Sequence, residues 1–247
     1  MTANGIAEAI GINVFSAFLG GFLAFAWQWA RRKQRKGREA EFLGVKPTKS
    51  CSIIVNTSPR GRKYASKSGT RVMTHNDALA VVQIYQMLGS VGGSVDLYEP
   101  EGAPPSSQVE FCLGGPRSNS RTAFLLQQHT NVAMGDTQRA PQAINPVKWP
   151  QDIIEKGRLP LICERDELEY GILARVVRPS KAEGVLFIVA GQTSVVNMAA
   201  VDYLKRNLNH LRRRFGDRSF CLIIKLENSH GKYYKDGEEL KEVSMPT

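Results

Sequence analysis

Residues 184–215 read "GVLFIVAGQTSVVNMAAVDYLKRNLNHLRRRF". The first eight residues form an apolar run with no polar face, the signature of a strand buried on both sides of a sheet. Four residues later Val196, Ala200, Tyr203, Leu204, Leu208, Leu211 and Phe215 recur at helical spacing, with Lys205, Arg206, Arg212 and Arg213 on the other face. The pair predicts a buried strand, a short "GQTS" turn and a long amphipathic helix over 194–215, the building unit of a parallel sheet covered by helices.

The same alternation extends in both directions. "CSIIV" (51–55), "SVDLYE" (94–99), "VEFCLG" (109–114) and "SFCLIIKLE" (219–227) read as strands. "THNDALAVVQIYQMLG" (74–89) reads as a helix capped by Thr74 with Ala78, Val81, Val82, Tyr85 and Leu88 inward, and a further helix is expected from about 119 to 128. "LPLICE" and "YGILARVV" suggest a hairpin across "RDELE", and "KYYKDGEELKEV" a second one turning at Asp236 and Gly237. Residues 130–160, punctuated by prolines, lack a pattern and are assigned to a loop or lid. The expected fold class is α/β: a three-layer Rossmann-like domain with a mostly parallel sheet, spanning residues 50–247, with no internal repeat.

Ahead of it, residues 10–30 hold 21 residues without a formal charge and end in Trp27 and Trp29. As a helix they would span about 31 Å, the thickness of a bilayer core. Arg31, Arg32, Lys33, Arg35, Lys36 and Arg38 follow at once, the reverse of the polarity of a cleavable signal peptide. The reading is a single-pass, uncleaved anchor over 1–30, a basic juxtamembrane linker over 31–49 and a cytoplasmic C-terminal domain, in the inner (cytoplasmic) membrane. Ser16, Gly20 and Ala24 recur every four residues, with Ala17 and Gly21 on the adjacent strip, and small residues so spaced let membrane helices pack closely. A homo-oligomer formed through this helix is expected.

The composition, 42% hydrophobic and 23% charged with a net charge of +10, is that of a folded protein with an anionic partner. Much of the excess charge lies in the basic block, where it serves topology and attraction to acidic lipids. With no zinc-finger spacing and no aromatic-basic ribonucleoprotein pattern, nucleic acid is not the expected partner. Cys51, Cys112, Cys163 and Cys221 form no CxxC and His75, His129, His210 and His230 are scattered, so buried free thiols are expected and no metal site is.

Ligands of open parallel sheets bind outside the carboxyl ends of the strands. Three loops there carry suitable chemistry. "NTSPRGRK" (56–63) offers Thr57, Ser58, Arg60, Arg62 and Lys63; "GGPRSNS" (114–120) offers Gly114, Gly115, Arg117, Ser118 and Asn119; "GQTS" (191–194) offers Thr193 and Ser194. Glycines allow close backbone approach, helix starts attract anions and arginine forks grip phosphate. The site residues expected to bind an anionic, nucleotide-like small molecule are therefore Thr57, Ser58, Arg60, Arg62, Gly114, Gly115, Arg117, Ser118, Asn119, Thr193 and Ser194. No cofactor is required. Neither GxxxxGK[ST], GxGxxG nor GxSxG occurs, which argues against a phosphate-loop triphosphatase, an ordinary dinucleotide enzyme and an α/β-hydrolase.

Among Glu99, Glu101, Glu110, Glu164, Asp166, Glu167 and Glu169, the candidates for a catalytic carboxylate are Glu110 and Glu164, beside strand ends. They define the alternative, a membrane-bound nucleotide or NAD glycohydrolase. A scaffold that binds no ligand is the third reading. The plan of one N-terminal anchor, a basic stop and a domain with the loops "NTSPRGRK", "GGPRSNS" and "AGQTS" resembles bacterial membrane-tethered sensor or effector proteins, including those of nucleotide-signal antiphage systems. That resemblance, which is architectural, implies a binding module that reports a small-molecule signal at the membrane.

Overall fold

The computed structural model describes residues 3–46, 50–56, 73–103, 109–135, 152–155, 161–162, 168–178, 184–227 and 237–246, with side chains from Gly20 onward. It divides into two units, residues 1–39 and 40–247. The second is a mixed α/β fold built on a mostly parallel seven-stranded sheet flanked by helices. Its strands are β1 (Ser50–Val55), β2 (Ser94–Tyr98), β3 (Val109–Leu113), β6 (Leu168–Val177), β7 (Val185–Gly191), β8 (Phe220–Glu227) and β9 (Glu238–Val243), in the order β2-β1-β3-β7-β6-β8-β9. β2, β1, β3 and β7 pair in parallel; β6 and β9 run against their neighbours, so five of the seven strands share one direction.

Helices α2 (His75–Ser90) and α4 (Ser194–Phe215) pack on one face, where Ile84, Leu88, Leu204 and Leu211 meet Phe111, Phe187 and Leu222. On the other face lie α3 (Ser120–His129) and a two-stranded sheet of β4 (Val132–Gly135) and β5 (Asp152–Glu155), through Leu125, Leu126, Val132 and Ile153. Alternation along β3 explains the division: Val109, Phe111 and Leu113 face α2 and α4, while Cys112 faces α3.

The α4 stripe forms as its spacing predicts, with all seven inward residues buried. On α2 the stripe is rotated: Ala80, Ile84, Met87 and Leu88 are buried, whereas Val82 and Tyr85 are 50% and 59% exposed. Two overlapping apolar stripes compete on that helix, and tertiary packing selects the one that meets β1 and α4. The hairpin expected from "LPLICE" and "YGILARVV" does not form among the described residues. Instead β6 inserts between β7 and β8, a position its ten-residue apolar run suits because both faces are covered, and Leu161 bridges Ile153 of β5. The stretch assigned to a loop over 130–160 contributes β4 and β5, four residues each, too short for alternation to be read.

In the first unit, α1 begins at Ala3 and is one α-helix to Leu43, so the polar linker expected over 31–49 is largely helical. Its last turn belongs to the second unit, where Phe42, Leu43 and Val45 are buried in the core. Phe22, Leu23, Phe25, Trp27 and Trp29 are exposed on α1, with Arg31 over the Trp27 ring and Lys33 over Trp29. Among the described residues no helix is long and apolar enough to cross a membrane. Side chains are described only from Gly20, so about half of the apolar segment 10–30 precedes them, and the span expected there gains no support from the fold. Of the packing residues, Ser16 falls before that point, Ala24 is exposed, and nothing lies within 4 Å of a Cβ at Gly20 or Gly21.

Candidate functional site: the carboxyl edge of the parallel strands

Val55, Leu113 and Val189 stand in register, so β1 and β3 end level with one another and β7 runs two residues further, to Gly191. After β1 the chain passes to α2 on one face, and after β3 to α3 on the opposite face. Strand order reverses between them, the position outside which ligands bind in open parallel sheets. The α4 junction leaves β7 beside it. The described ends of β1, β3 and β7 thus reach one rim; Thr57, Ser58, Arg60, Arg62 and Lys63 lie outside the described residues, as does Glu164.

Local chemistry shapes the "GGPRSNS" turn. Gly114 has φ +111°, a value that favours glycine, and its amide donates to Val189 O at 2.9 Å, tying β3 to β7. A Cβ at Gly115 would stand 3.2 Å from Gly191 O, so two of the three junctions approach closely here. Ser118 Oγ and the amides of Ser118 and Asn119 all donate to Gly115 O. Asn119 is fully buried: its Nδ2 donates to Ile54 O and Leu113 O at 3.3 and 3.0 Å, and its Oδ1 accepts the Thr122 amide at 3.1 Å. One side chain therefore joins β1, β3 and the start of α3. Asn119 and the Ser118 hydroxyl, expected as ligand groups, bond to the turn and the strand ends, while Arg117 is exposed in the turn.

At the "GQTS" turn the expected caps also behave differently. Thr74 caps α2 and Asn119 caps α3, but Thr193 makes no side-chain cap bond to α4. Its hydroxyl donates to Glu169 Oε2 at 2.5 Å. Glu169 is 3% exposed near the start of β6, brought to the rim because β6 runs antiparallel to β7. Gln192 Oε1 accepts the amide of Tyr170, and Asn197 Oδ1 accepts that of Gly191 at 2.6 Å while its Nδ2 donates to Asp77 Oδ1 at 2.8 Å. Asp77 also accepts from Thr74 Oγ1. Burial raises the Asp77 carboxyl above its ordinary range, against the opposing bonds from Asn197 and Thr74. The first turns of α2 and α4 are thus linked, with carboxylates at Asp77 and Glu169.

Glu110 has a different role from the catalytic one considered above. It lies three residues before the end of β3, roughly 10 Å from the rim, on the α3 face. Arg121 grips it with Nε and Nη2 at 2.9 and 3.2 Å, Arg178 Nη2 adds a third bond at 2.6 Å, and the Cys112 thiol donates to Oε1. Burial pushes this carboxyl up, but the two guanidinium groups outweigh it and hold it below the usual 4.5. Burial and the neighbouring carboxylate push the Cys112 thiol well up, and Cys51, Cys112 and Cys221 are buried free thiols.

Sequence reading missed Asp77, Asn197 and Gln192, and placed Glu169 only among a general acidic set. Asn197 carried a signal: it is a polar residue on the inward stripe of α4. Beside the rim a groove of about 480 Å³ runs along α3, lined by Pro116, Ala123, Leu126, Gln127, Val132 and Met134 among others. Among the described residues no group of His, Cys, Asp or Glu is placed to hold a metal ion. No protein-family model, curated protein or solved structure matches this chain.

Proposed function

We propose that this chain is a single-pass membrane-anchored sensor or effector whose Rossmann-like domain binds an anionic, nucleotide-like small molecule at the carboxyl edge and passes occupancy to association of its N-terminal helices. The observation that carries the reading is that the carboxyl ends of β1, β3 and β7 lie side by side at the point where the chain leaves for helices of opposite faces. In sequence, the chain that follows β1, between Asn56 and Met73, carries Arg60, Arg62, Lys63, Lys67 and Arg71 with no acidic residue, and Arg117 follows β3. Pro116 belongs to both the turn and the apolar groove, so a ligand with its charged end at the rim has an uncharged surface on which to lay the rest.

The test is a thermal-shift panel of inorganic phosphate, nucleotides and NAD on the full chain in detergent. A bound nucleotide raises the melting temperature by an amount that grows with the logarithm of its concentration over Kd, and Arg117→Ala weakens the binding by about tenfold, the loss of one charge-assisted contact. An undiminished shift in the variant removes Arg117 from the site; no shift with any compound removes the reading.

The anchor rests on the 21 uncharged residues over 10–30 and the six basic residues that follow. In membranes prepared from cells making the protein, the chain stays in the pellet after alkaline carbonate extraction, and release into the supernatant contradicts a span. One observation favours a second reading: Glu169 is a carboxylate at the rim itself, as a glycohydrolase of nucleotides or NAD requires. Product formation during the same panel selects the enzyme, and stabilisation without turnover the sensor.

A further inference from the structure

We infer that Arg175 is a clamp that locks the last turn of α1 to the end of α4, so that the two helix ends shift together. Arg175 sits in β6 opposite Phe187 and Phe220, in the middle of an apolar run, and is 2% exposed. Its Nε donates to Phe42 O of α1 at 3.0 Å, and its Nη1 to Gly216 O and Arg218 O, in the turn that ends α4, at 3.3 and 2.8 Å. The guanidinium also lies 4.5 Å above the Phe42 ring.

Each of these acceptors is a backbone carbonyl, and the arrangement balances electrostatically. The C-terminal end of a helix carries about half a negative elementary charge, so two such ends converging on one guanidinium offset about its full charge. The orphan carbonyls of both helix ends gain a donor in the same step. Burial still lowers the Arg175 pKa to about 10, opposed by Asp217. Lysine cannot reproduce the contact, because a single ammonium neither reaches carbonyls in two directions nor stacks as a plane on Phe42.

The end of α1 is seated independently on the sheet. Gly44 has φ +76°, its amide donates to Glu41 O, and a Cβ there would lie 2.7 Å from Val185 Cγ2. Phe220 stacks with Phe42 and with Phe215, at 6.4 and 4.4 Å, which joins the ring beneath the cation to the end of α4. The 22-residue α4 begins at the rim, where Asn197 holds Gly191, and ends at this clamp about 33 Å away. A displacement of the "GQTS" turn on ligand binding therefore has one helix to travel along to the end of α1; only this last step rests on the sensor reading.

Hydrogen exchange of the full chain in detergent tests the clamp without any ligand. In Arg175→Lys and Arg175→Met, peptides covering residues 40–46 and 214–219 exchange about 10- to 100-fold faster, while those from β1 and β3 keep their wild-type rates. Gly44→Ala attacks the same contact from the other side, lifting α1 from Val185 with Arg175 intact, and accelerates both peptides together. It also serves if the Arg175 variants fail to fold. Acceleration at one end alone, an equal change across the whole domain, or no change overturns the clamp. A nucleotide panel without a hit overturns the sensor reading and leaves this result standing.

Discussion

Glu110→Ala destabilises the domain by about 3 to 5 kcal/mol, the cost of removing the shared partner of two largely buried guanidinium groups. Glu110 has no exposed surface, and the Arg121 and Arg178 side chains are only 25% and 11% exposed, so water cannot replace the lost carboxylate around all three charges. The contact also ties β3, α3 and the end of β6, so its loss loosens elements that carry the rim. The pH dependence gives a second signature. Because the folded carboxyl titrates below its ordinary 4.5, the unfolded chain binds more protons between the two values, and the stability from Glu110 is present above that window and is lost as pH falls through it. Denaturant midpoints from pH 3 to 7 check both statements: the variant melts earlier at pH 7, and the gap to wild type narrows as the medium becomes acid. A loss below about 1 kcal/mol at pH 7 contradicts the buried triad.

Asn119→Ala is expected to cost about 3 kcal/mol. It removes the cap of α3, worth about 1 kcal/mol, and leaves the buried carbonyls of Ile54 and Leu113 without this donor, at about 1 kcal/mol or more each. Asn119→Asp separates the two contributions, since a carboxylate still accepts the Thr122 amide but cannot donate to the carbonyls, and faces two oxygens instead. Aspartate is therefore no better than alanine, in contrast to an ordinary helix cap, where the two residues exchange freely. Equilibrium unfolding of both variants decides it, and near-wild-type stability for Asn119→Asp means that the join between β1 and β3 is unimportant.

Fold and site were legible to different degrees, for physical reasons that particular residues show. Local chemistry gave the junctions: Gly114, Thr74, Asn119 and the long stripe of α4 follow from backbone conformation, capping and helical period, all set within a few residues. The α2 face did not follow, because Val82 and Tyr85 are as apolar as Ala80 and Ile84 and only packing separates the stripes. The place of β6 in the sheet is a long-range choice that its own residues do not encode. Arg175 and Glu110 each interrupt an apolar strand, which marks a buried charge but not its partners. Glu169, Asp77 and Asn197 reach the rim from three separate elements, so their association appears only once the sheet order is known.

The most direct measurement is the hydrogen-exchange footprint of whichever phosphate, nucleotide or NAD stabilises the full chain. Binding at the carboxyl edge slows exchange in peptides covering residues 113–120 and 190–197, the junctions held by Asn119 and Asn197. Protection confined to other surfaces, such as the α2 face around Val82 and Tyr85, contradicts the account.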